Sequence, residues 1–117
     1  MTEISLTAME KRLHDLPQLI YNANKLVIST RSDWLRSKVN LDRQKAKIML
    51  LAKANAVGNK PPTQTDLNAK ANDETYEMEL ETIKAEANYR EAVGKKKQLD
   101  NEFVAIRKIA ALRSVTY

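Results

Sequence analysis

Apolar residues recur every seventh position over the first half of the chain: Leu6, Leu13, Ile20, Val27, Trp34, Leu41 and Ile48. Their companions three residues on are Met9, Leu16, Ala23, Thr30, Ser37, Gln44 and Leu51, apolar at both ends and small or polar between. A sustained seven-residue repeat marks a helix seam of coiled-coil type. Pro17 interrupts it, because a proline inside a helix removes a hydrogen bond and crowds the preceding turn. The pattern therefore predicts a short helix over 6–15, with Thr7 and Glu10 at capping-box spacing, and a long helix over 17–57. At 1.5 Å per residue the long helix reaches roughly 60 Å.

Gly58 is placed to cap that helix, and Pro61 and Pro62 cannot continue it. A turn region is expected over 58–72, in which Thr63 or Thr65 starts a short helical turn through Lys70. Asn72 and Asp73 read as an N-cap, with Glu74 and Glu77 placed for the helix dipole, so a second long helix is expected over 73–115. Its expected apolar stripe is Tyr76, Leu80, Ile83 and Ala87, then Leu99, Phe103, Ile106 and Ala110, with a weak middle around Tyr89, Ala92 and Val93. Gly94 is the one interior breaker, costing about 1 kcal/mol relative to alanine. The fold expected is a single all-α domain: a long antiparallel helical hairpin with a short N-terminal helix, coiled-coil-like and oligomeric. Its helix or oligomer seam would be Ile20, Val27, Trp34, Leu41, Ile48, Leu99, Phe103 and Ile106.

Charge is striped along the chain. From Lys25 to Lys60 there are nine basic and two acidic residues, from Asp66 to Glu91 eight acidic and three basic, and from Ala92 onward six basic and two acidic. In a hairpin, Arg43, Lys45, Lys47 and Lys53 would flank the seam opposite Glu74, Glu77, Glu79 and Glu81, setting helix pairing. The far end differs. Lys95, Lys96 and Lys97 would come near Arg31, Arg36 and Lys38, with no comparable acidic block over them. Such a cluster can neutralise phosphates, and Trp34 and Tyr89 could stack bases. Trp34 also belongs to the seven-residue series, which gives it a seam role instead.

Catalytic chemistry has no constellation here. His14 is the only histidine and stands beside Asp15; acid–base or nucleophilic work needs groups held together in a water-excluding pocket. Glu77, Glu79 and Glu81 alternate, so on a helix they diverge and form no metal cluster, and no Glu-x-x-His or phosphate-loop motif is present. No enzyme activity, cofactor or metal is expected. The chain has no cysteine, and Met1 to Ser5 do not read as a secretory signal. Its longest apolar run, Ile48 to Ala52, is far below the roughly 20 residues of a membrane span. A cytoplasmic protein without a membrane partner is expected.

Tyr21-Asn-Ala-Asn-Lys, then Trp34-Leu35, then a lysine-rich helix ending Leu51-Ala52-Lys53-Ala54-Asn55, together resemble the recombination mediator (UvsY-like) proteins of tailed bacteriophages. A polar turn, an acidic helix start and a long helix ending Ala105-Ile106-Arg107-Lys108 continue the order, so the resemblance covers roughly residues 19 to 110. It implies a small helical oligomer that binds single-stranded DNA and helps load a recombinase onto strands covered by a single-strand-binding protein. The family's Lys-Ala-Arg motif would fall on Lys53, Ala54 and Asn55, with asparagine in place of the arginine. A proline-bearing segment, Gly58 to Thr65, replaces the family's glycine-rich loop. The resemblance implies Lys53 as a DNA contact, beside Arg31, Arg36, Lys38, Lys95, Lys96 and Lys97. The rival expectation is a structural or scaffolding assembly of helical hairpins that binds no nucleic acid.

Overall fold

A computed structural model describes residues 6–55 and 62–115. These form three helices and no strand: α1 (Leu6–Ala54), α2 (Gln64–Glu74) and α3 (Tyr76–Val115). The expected cap at Gly58 and the break at Pro61 lie outside the described residues. The chain divides into two compact units, the first built from 1–29 and 89–117, the second from 30–88.

No break occurs at Pro17. One helix of 49 residues runs through it, where the sequence suggests two. Leu16 is fully buried, Met9 is buried, and Leu13 and Ile20 are half-buried on the same face. Burial on both sides of the proline holds the turns to one stripe, and such packing overrides local propensity. Pro17 itself faces solvent, where water can take the carbonyl bond that proline cannot make.

The seven-residue series is the inward edge of α1. Leu41 and Ile48 are buried, while Ile20, Val27 and Trp34 are half-buried. The companion series holds from Met9 to Ser37 and then turns outward, since Gln44 and Leu51 are exposed and Lys45 and Ala52 replace them. A straight helix drifts roughly 20° per heptad, which over about five heptads amounts to one residue's rotation.

The second helix start lies three residues later than Asn72 suggests. Thr63 caps α2 through a reciprocal box: its hydroxyl accepts from the Asp66 N–H at 3.1 Å, and its own N–H donates to the Asp66 carboxylate at 3.4 Å. α2 runs past Asn72 and Asp73 to Glu74. The junction with α3 is the single residue Thr75, which is completely buried. Its hydroxyl donates to the Ala71 carbonyl at 2.6 Å, its N–H to the same carbonyl at 3.1 Å, and its own carbonyl accepts the Glu79 N–H at 2.9 Å. All three polar groups are satisfied, which makes a buried threonine tolerable there.

In α3 the expected stripe fails in its first half. Tyr76, Leu80, Ile83 and Ala87 are exposed. The shielded edge is instead Met78, Thr82, Ala85, Tyr89 and Ala92, continuing through Lys96, Leu99, Phe103, Ile106 and Ala110. Those spacings alternate three and four, as a helix seam requires. From Leu99 onward the expected and observed stripes coincide. In the first unit α1 and α3 run antiparallel: Arg12 meets Glu102, while Asn24 and Val27 line one depression with Val93 and Lys96.

Candidate nucleic-acid interface

Each unit carries part of the cationic surface, and each is described by itself. In the first, Lys95, Lys96 and Lys97 sit on consecutive positions of α3 and so point in three directions. Lys95 reaches back to Glu91 at 3.3 Å, and Lys96 reaches forward to Asp100 at 2.9 Å. Two of the three lysines thus already have a carboxylate one turn away on their own helix. Lys97 makes no salt bridge among the described residues. Lys96 and Lys97 border a shallow open depression of about 280 Å³, shared with Asn24, Val27, Val93 and Asp100. That is small for a ligand pocket, and its lining suits passing contact with a charged chain better than enclosure of a molecule.

In the second unit the cations are concentrated on one helix. The α1 segment from Thr30 to Ala54 has seven basic and two acidic residues. Arg31, Arg36, Lys38, Arg43, Lys47 and Lys53 are all exposed, and none makes a salt bridge among the described residues. Lys38 lies over the Trp34 ring, 5.9 Å from its centroid, a cation–π distance. Trp34 is half-buried, so part of its ring is spent on the inward edge of α1. Tyr89 belongs to the first unit and is half-buried as well.

The expected ladder of opposed charges is mostly unformed. Of Arg43, Lys45, Lys47 and Lys53, only Lys45 pairs with a glutamate of α3, Glu79. Glu74 instead lies 3.9 Å from Lys70 on α2. Arg43 and Lys47 therefore join the free cations, although the basic stretch of the sequence suggests them as seam flanks. What separates the roles is helical position. Arg31, Lys38 and Lys45 recur every seven residues along one side of α1, and only the last reaches a partner helix. Arg36, Arg43 and Lys47 line the other side at spacings of seven and four.

Among the described residues, no three histidine, aspartate or glutamate side chains gather as a metal site would require. No described helix is long and apolar enough to cross a membrane. His14 is exposed. Comparison of the chain with protein-family models, curated proteins and solved structures finds no match, so the reading of this surface rests on its own chemistry.

Proposed function

We propose that this chain is a non-catalytic, self-assembling accessory protein that holds single-stranded nucleic acid by its phosphates, as a mediator of phage-type DNA recombination or replication does. The observation that carries this reading is the α1 segment from Arg31 to Lys53, with six exposed cations and, among the described residues, no carboxylate within salt-bridge distance of them. Exposed cations without internal partners lose little on meeting a phosphate, and each contact gains from counterion release. Binding of this kind is indifferent to base sequence. Arg36, Arg43 and Lys47 are the principal contacts, with Arg31, Lys38 and Lys53 beside them. Lys95 and Lys96 contribute less, because a phosphate must compete with Glu91 and Asp100. A recombinase or a single-strand-binding protein is the partner class such a role requires.

Fluorescence anisotropy of a labelled oligothymidylate, titrated at several salt concentrations, tests the reading. Binding should weaken steeply with salt and be similar for other base compositions. Neutralising Arg36, Arg43 and Lys47 to glutamine should make the slope of log K against log salt shallower by about 2, at roughly 0.7 per single-strand phosphate contact. Absence of binding at low salt, or binding insensitive to salt, rejects it. The second reading, a scaffold of helical hairpins, would then hold, and it is favoured independently by the apolar stripes on the outer surface of the second unit.

A further inference from the structure

Two apolar stripes in the second unit point away from its interior. On α3, Tyr76, Leu80, Ile83 and Ala87 fall within a sector of roughly 60°, on the side of the helix opposite its shielded edge; Ile83 is 61% exposed and Tyr76 60%. On α1, Leu35, Val39, Ala46 and Leu50 fall within a similar sector of roughly 60°, again away from the buried Leu41 and Ile48; Leu50 is 68% exposed. Each has the width and spacing of a helix seam, and its members are exposed among the described residues. Single exposed leucines need no explanation, but an aligned row on a charged helix does.

Charge decides what fits. The α1 stripe is flanked on both sides mainly by cations, Arg31 and Lys38 beyond Asp42 on one and Arg36, Arg43 and Lys47 on the other. The α3 segment from Tyr76 to Asn88 carries four glutamates and one lysine; Glu77 and Lys84 border its stripe on one side, and Glu86 and Glu79, the latter held by Lys45 of the same chain, on the other. Packing α1 on α1 sets cations against cations, and α3 on α3 sets glutamates together; like charges across a seam oppose pairing. Packing α1 of one copy on α3 of the next joins the two apolar rows and alternates the signs.

We infer that the chain assembles head to tail, the outer α1 stripe of one copy seating on the outer α3 stripe of a second copy. The two faces differ, so the contact is heterologous and propagates into a ring or an open array. Three flanking glutamates cannot neutralise the cations of α1, so a positive surplus stays along the edge of each contact. The inference deepens the assembly half of the proposed function and does not depend on nucleic-acid binding.

The test uses the whole chain without nucleic acid, its mass followed by sedimentation velocity against concentration. The wild type should rise above monomer mass. Val39→Arg with Leu50→Arg spoils the α1 face, and Leu80→Glu with Ile83→Glu spoils the α3 face, each without reversing the sign of its flanks. Both variants should stay monomeric with unchanged helical circular dichroism. Mixed in equal amounts they should form a 1:1 pair and stop, because one intact α1 face then meets one intact α3 face. If helicity drops, the milder Leu80→Ser with Ile83→Ser serves with the same readout. A monomeric wild type, assembly in either variant alone, or a mixture that stays monomeric overturns the inference. A monomeric wild type would assign the stripes to a different protein, and oligothymidylate binding read separately tells that failure from failure of the nucleic-acid reading.

Discussion

Arg12 and Glu102 meet in a two-point contact, Nε to Oε1 at 2.6 Å and Nη2 to Oε2 at 2.8 Å. The fork matches the carboxylate, which makes it a directional ion pair. Hydrogen bonding from Arg12 holds the Glu102 carboxyl below its ordinary range, and the same contact raises the Arg12 guanidinium, which stays charged at any working pH. A lowered carboxyl pKa adds stability that is fully present above the unfolded glutamate value of about 4.3 and is lost as pH falls through the folded value. The stability difference between wild type and Glu102→Gln should therefore be constant near neutrality and shrink below about pH 4. Urea melts at pH 7 and at pH 3.5 measure it, and an unchanged difference would mean that the pair contributes nothing. Both side chains are more than a third exposed, so the effect is small even where it is complete.

At the scale of the element, α3 holds its shape against its own sequence. Gly94 sits in its interior, and a methyl group added there would meet nothing within 4 Å. Gly94→Ala should stabilise the chain by about 0.5–1 kcal/mol through helix propensity alone, read as a rise in urea midpoint at constant m-value. Destabilisation would mean that this position is packed by another chain. The helical content was legible in the seven-residue series and in the scarcity of glycine and proline, and the inward edge of α1 was legible almost residue for residue. Two features were not. Helix continuity through Pro17 depends on burial of Leu16 and Met9, which is tertiary. The inward edge of α3 depends on Thr82, Ala85 and Ala92, small residues that permit close approach yet carry little hydrophobic signal. Tyr76, Leu80 and Ile83 carry a strong one and lie outside. Of the candidate interface, the basic stretch was legible. Which of its members are free was not, because Arg43, Lys45 and Lys47 read alike until Lys45 alone reaches Glu79.

For the whole molecule, charge and apolar surface belong to one account. The chain carries a net charge of +5, and in the second unit the positive side is concentrated on α1 and the negative side on α3. A helix that keeps small residues on its shielded edge and large apolar residues outside, as α3 does in this unit, is built for neighbours, and the uneven charge selects which face meets which. Assembly would repeat the α1 cations at regular intervals, and many weak phosphate contacts held together bind a long polyanion more tightly than their single affinities suggest. The assembly depends on the register of α3: Ala92 inside and Ile83 outside. The absence of cysteine from the chain allows that register to be read directly. Single variants Ile83→Cys and Ala92→Cys, treated with a maleimide in dilute solution, should differ sharply in rate: position 83 close to the unfolded rate and position 92 strongly protected. Protection at 83 with rapid labelling at 92 would contradict the account.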